Sequence, residues 1–203
     1  MPTYQEVRER LKTGDLLLFS GTSAISTTIK FCSGGRWSHV GMVVRLPGRD
    51  EPFLWESTTL VDVPDAETGL ARPGVQLVTV AERVATYRGE IMLRPLDRPL
   101  TPPMLARLEE VRHRFAETEF ERSRLQQLRA AYDGPGGASP GEDLSSVFCS
   151  ELVAEAYQAM GLLPEWPEGP PSNEYVPLDF CAERGLRLGR GYALGPEVPI
   201  TAG

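Results

Sequence analysis

A reactive thiol needs a lowered pKa, a base within reach and a third group to orient that base. The chain has three cysteines, at 32, 149 and 181. Cys149 has the favourable context. In "SSVFCSELVAEAYQAMG", residues 145–161, Leu152, Val153, Ala156, Tyr157 and Met160 recur on one helical face. Gly161 and Pro164 mark the stop, and Ser145 or Ser146 can cap the start. Cys149 is therefore expected in or just before the first turn. There the positive end of the helix dipole favours a thiolate, and free N–H groups can hold an oxyanion. A small core cysteine is the competing reading of the same residue. Cys32 closes its own expected helix, where the dipole opposes a thiolate, and Cys181 in "LDFCAERG" is flanked by apolar residues.

The base has to be a histidine, and the chain has only two. His113 lies between Arg112 and Arg114, off the apolar stripe of a charged helix, and reads as a solvated surface residue. His39 opens a strand in "WSHVGMVV" beside a Gly-rich turn, with small neighbours that let another group approach. A strand-end histidine satisfied by its surroundings is the alternative. If the following hairpin turns on Pro47-Gly48, position 39 pairs with position 56, a glutamate in "FLWES". A carboxylate between Leu54, Trp55 and their neighbours is costly unless it is paired or faces water. Glu56 is thus the candidate orienter of His39, or else a solvent-facing strand residue.

The elements that must hold these residues are legible as periodicities. Residues 3–12 form a short amphipathic helix and 22–32 a second one. Strands are expected at 14–21, 38–46, 52–58, 74–80 and 89–96. "PPMLARLEEVRHRFAE" is a proline-opened helix with Met104, Leu108, Val111 and Phe115 on one stripe. "RSRLQQLRAAYD" is a further helical piece, and "GPGGASPGED" (134–143) a flexible loop before the Cys149 helix. The tail from Pro164 carries seven of the eighteen prolines and is expected to wrap the surface with one or two short strands, such as "RGLRLGRGYAL". Strands first and helices after predict an α+β fold.

With 203 residues, the chain suits one sizeable domain over 1–203. Its hydrophobic content of 41% and charged content of 24% are those of a globular protein. A net charge of −7 argues against nucleic acid or an anionic membrane as partner. No stretch reaches the roughly 18 apolar residues of a membrane span. The opening "MPTYQEVRERLKTGD" lacks the apolar core of a secretory leader, so the expected location is cytoplasmic. Without a CxxC spacing no structural zinc site is expected, and in that compartment the cysteines read as free thiols.

The order of "GD" and its strand, "SHVGMVV", "FLWES", "YD" and "FCSELVAEAY" resembles the permuted papain-fold cysteine hydrolases related to NlpC, in their YiiX-like branch. The resemblance spans residues 13–163, leaving the Pro-rich tail 164–203 and the Gly/Pro loop unmatched. It implies a circularly permuted papain-like α+β fold, with a small antiparallel barrel-like sheet packed against helices that include the cysteine-bearing one. It implies Cys149 as nucleophile, His39 as general base, Glu56 as its partner, and Tyr132 of "AAYDG" as an oxyanion or substrate contact. Tyr132 can equally close its helix against the core. The implied activity is cleavage of an amide or ester bond through an acyl-enzyme, with no cofactor and a peptide, acylated or lipid-like small substrate. A thiol acyltransferase on the same scaffold is one alternative. Its usual "NCEHF" context is not the "FCSEL" found here. A binding module without turnover is the other.

Overall fold

The structure, a computed structural model, describes residues 1–22, 35–117 and 143–203. The expected helix 22–32, the helical piece 122–133, most of the Gly/Pro loop, Cys32 and Tyr132 lie outside the described residues.

A six-stranded sheet organises the chain: β1 (Leu16–Gly21), β2 (His39–Arg45), β3 (Pro52–Thr58), β4 (Gly74–Thr79), β5 (Gly89–Arg94) and β6 (Val198–Ile200). The strand order is β4-β3-β2-β1-β5-β6, with every neighbouring pair antiparallel. The "LLLFSG" run is buried along its whole length because β1 is central and covered on both faces. Among the described residues the sheet is open, with β4 and β6 as its edges, where the resemblance implied a small barrel-like sheet.

The period-2 alternation sorts side chains between two cores. Leu16, Leu18, Val40, Met42, Trp55 and Leu77 face one layer, built from α3 (Pro102–Glu117), α4 (Asp143–Ala159) and the tail. Leu17, Phe19, Val43, Leu54 and Val78 face the other, which holds α1 (Tyr4–Val7), a 3₁₀ turn (Arg8–Arg10) and α2 (Val80–Thr86). The expected stripe of α3 is its buried side, with Met104, Leu108 and Val111 in the core and Phe115 edge-on to Trp55 at 6.0 Å.

The tail departs from expectation. "RGLRLGRGYAL" forms turns and one isolated bridge, Leu96 with Leu194. Gly185, Arg190 and Gly191 take positive φ of 59°, 55° and 72°, left-handed values that interrupt a regular strand. The tail's strand is β6 instead, paired with β5. Both sheet edges are occupied or short. Beside β4, the Leu77 N–H donates to Asp65 Oδ2 at 2.7 Å, and the Ala66 N–H donates to the Leu77 carbonyl at 2.7 Å. At the other edge β6 is three residues long and carries Pro199.

Candidate active site

His39 is the first residue of β2 and pairs with Phe19 of β1. The β2–β3 hairpin is wider than expected. Arg45 pairs with Pro52, so residues 46–51 form the turn and the register is Met42 with Trp55. Continuing that register places Gly41 opposite Glu56 and His39 opposite Thr58. The expected direct pairing of His39 with Glu56 is therefore replaced by a diagonal one. The error is two residues, an even number, so both side chains stay on one face. A diagonal separation of roughly 7–8 Å between backbones suits two long side chains reaching toward each other. His39 Nε2 stands 2.6 Å from Glu56 Oε2. Gly41 leaves the room for this. A Cβ there would come within 2.8 Å of Leu54 Cδ1 and 3.2 Å of Glu56 Cβ.

Glu56 is wholly buried. The donors around it explain how a carboxylate survives there. Gln76, opposite it on β4, donates from Nε2 to Oε1 at 3.1 Å. Arg83 on α2 donates from Nε to the same oxygen at 2.9 Å. Its Nη2 stands 2.8 Å from that oxygen, an ion-pair contact without hydrogen-bond alignment. Arg83 is itself fully buried, and its Nη1 donates to Asp62 Oδ1 at 2.8 Å. Burial pushes the Glu56 carboxyl upward, but the Arg83 charge, His39 and Gln76 outweigh it and hold it down at about 2.

Cys149 approaches His39 from α4, in the other layer. Burial alone would lower the imidazole. The charge of Cys149 and a hydrogen bond with it, followed by Glu56, raise it to about 10. Because Glu56 occupies Nε2, Nδ1 is the nitrogen left for the thiol. The histidine thus bridges the cysteine and the glutamate. Phe19 packs on its ring at 5.3 Å between centroids.

Two expectations about Cys149 need correction. α4 begins at Asp143, so Cys149 is its seventh residue and lies in the second turn. Ser145 and Ser146 are inside the helix rather than capping it. The N–H groups left free at a helix start are the first four, so that of Cys149 is not among them. The imidazole, and not the helix end, is the group set against Cys149. The Cys149 side chain has no exposed surface. Its neighbour Ser150 ties the helix to the tail, donating from Oγ to the Tyr175 carbonyl at 2.6 Å.

Sequence reasoning missed Arg83, Gln76 and Tyr87. Tyr87 packs edge-on to Phe19 at 4.8 Å. Burial pushes its phenol up to about 12 against a hydrogen bond with Ser38, and the charges of Glu56 and Cys149 act on it. A signal for Arg83 was present: in "VAERVAT" it falls on the face of Val80 and Val84. Gln76 and Tyr87 carried no comparable mark. The remaining candidates stand apart. His113 is exposed beside Glu109, at 3.3 Å, and Cys181 is a buried core thiol. Among the described residues no group of His, Cys, Asp and Glu is arranged to hold a metal ion, and no helix is long and apolar enough to cross a membrane.

No family model and no curated protein matches the chain. Among solved structures it is similar to the metalloprotein YiiX from Escherichia coli O157:H7, with 18% identity and a TM-score of 0.46. The similarity covers 73% of this chain and 65% of that one, so this chain spans less than two thirds of the YiiX length.

Proposed function

We propose that this chain is a cysteine hydrolase of amide or ester bonds, built on the circularly permuted papain-like plan of the YiiX-like branch. The observation that carries the reading is His39 held between two partners, with Glu56 Oε2 2.6 Å from its Nε2 and Cys149 as its second hydrogen-bond partner. In the first step the Cys149 proton passes to His39 Nδ1, and the sulfur forms a bond to the substrate carbonyl carbon. Collapse of the tetrahedral intermediate breaks the bond to the leaving amine or alcohol, which takes the proton from His39. Water then attacks the thioester with His39 as base, releasing the acid and restoring the thiol. Glu56 orients the imidazole throughout and stabilises its charge.

The burial of Cys149 favours a second reading, a binding module whose thiol never meets a substrate. Incubation with activated esters of increasing chain length and with peptidyl amides separates the two. The expected result is an acyl adduct on Cys149 by intact-mass spectrometry, and turnover that disappears in Cys149→Ala. Equal turnover in Cys149→Ala would overturn the hydrolase. Transfer of the acyl group to an added amine or alcohol in preference to water would identify an acyltransferase using the same residues.

A further inference from the structure

We propose that Arg83 is a positioning residue that fixes the tautomer of His39 by keeping Glu56 ionised. This rests on the reading of His39 as the base toward Cys149. The two carboxylate oxygens of Glu56 have separate duties. Oε1 receives Gln76 and Arg83, while His39 Nε2 faces Oε2 at 2.6 Å. An ionised carboxylate can only accept, so Nε2 must carry the hydrogen and Nδ1 keeps its lone pair for the thiol proton. A protonated Glu56 would reverse this. Its O–H would donate to Nε2, the ring hydrogen would move to Nδ1, and the base would be blocked on the side of Cys149.

Which state Glu56 adopts is decided by the charge beneath it. A fully buried carboxylate with no opposite charge takes up a proton. Arg83 cannot give up its own proton, so it is a fixed positive charge. It is also held in place from its far side, where Nη1 meets Asp62 at 2.8 Å. Asp62 is 40% exposed, so this chain of charges runs from the sheet interior to the surface. Besides His39, which is neutral in the state that accepts the thiol proton, the nearby titratable groups are Cys149 from α4, acting on His39, and Tyr87 after α2. Neither is a cation that replaces Arg83.

The test reads the tautomer directly. With His113→Gln and Cys149→Ala, His39 is the only histidine, and nitrogen NMR of its neutral ring distinguishes Nε2–H from Nδ1–H. The expected result is Nε2–H with Arg83 present and a shift to Nδ1–H in Arg83→Met. Arg83→Gln keeps a polar side chain without the charge, so it separates charge from polarity and serves if Arg83→Met does not fold. It is expected to shift the tautomer as well, and Arg83→Lys to retain Nε2–H. In the chain with Cys149 intact, alkylation of that thiol at neutral pH should slow by about tenfold in Arg83→Gln and recover in Arg83→Lys. An unchanged Nε2–H tautomer in Arg83→Gln would overturn the proposal. If unsubstituted Cys149 alkylates no faster than a free thiol, the hydrolase reading falls instead, and the tautomer measurement still decides the role of Arg83.

Discussion

Glu56→Gln tests the electrostatics of the buried site through the stability of the fold. Gln keeps the shape of Glu56 but removes the charge that Arg83 faces at 2.8 Å. Breaking one side of a buried ion pair costs about 3–5 kcal/mol. Asp62 still holds Arg83 Nη1, which places the expected loss near the lower end, at about 3 kcal/mol. The pH dependence is the sharper part. The Glu56 carboxyl is depressed in the folded protein from 4.5 to about 2. A depressed carboxylate stabilises the fold above its unfolded pKa and loses that contribution as pH falls through the folded value. The shift corresponds to stability on the order of 3 kcal/mol at neutral pH, of which about 2 kcal/mol is gone by pH ~3. Urea unfolding of both proteins from neutral pH down to about 3 measures this as a difference, in which the other carboxylates cancel. The stability gap between the wild-type chain and Glu56→Gln should narrow by about 2 kcal/mol on acidification. A gap independent of pH would refute the claim that Glu56 is ionised in the folded state.

His39→Ala should slow iodoacetamide alkylation of Cys149 about tenfold or more at slightly acidic pH, with the rate at Cys181 unchanged, read by peptide mass spectrometry. His39 is raised to about 10 by Cys149 and Glu56, so the proton it takes from the thiol stays on the ring through neutral pH and is lost only as pH rises through that value. The wild-type alkylation rate should therefore hold steady across neutral pH and change near the His39 value. Gly41→Ala puts a methyl group 2.8 Å from Leu54 Cδ1 and 3.2 Å from Glu56 Cβ. It should cost about 1–3 kcal/mol in urea unfolding, and it should slow Cys149 alkylation by displacing Glu56. In Tyr157→Phe the buried Gly14 carbonyl loses its 2.7 Å hydrogen bond. A loss of about 1–3 kcal/mol by thermal or urea unfolding is expected, with Cys149 alkylation unaffected.

How legible the site was in the sequence depended on whether each feature was local. The strands were visible because alternation and β-branched runs are properties of a few consecutive residues. Glu56 was reached through a hairpin register that was off by two, and it survived because side-chain direction repeats every two residues. An error of one would have put Glu56 and His39 on opposite faces of the sheet. The start of α4 was misplaced because serines at 145 and 146 look like caps, whereas the helix continues back to Asp143. Arg83 and Gln76 could not be assigned roles from local pattern. They meet Glu56 only through the order of β3, β4 and α2, a long-range fact of the sheet. The tail's strand was misassigned because its alternation is real, while the positive φ at Gly185, Arg190 and Gly191 is set by the path over the surface.

The two edges of the sheet bear on how the protein meets other chains. An antiparallel sheet with bare edges invites a further strand, whether from a peptide or from a second copy growing toward a fibril. Here Leu77, in the middle of β4, spends its outward N–H and carbonyl on the loop at Asp65 and Ala66. At the opposite edge, β6 offers three residues, and the central one is a proline with no N–H to give. Strand addition is thus disfavoured on both sides. The protein should remain monodisperse at concentrations where open-edged sheets of this size self-associate.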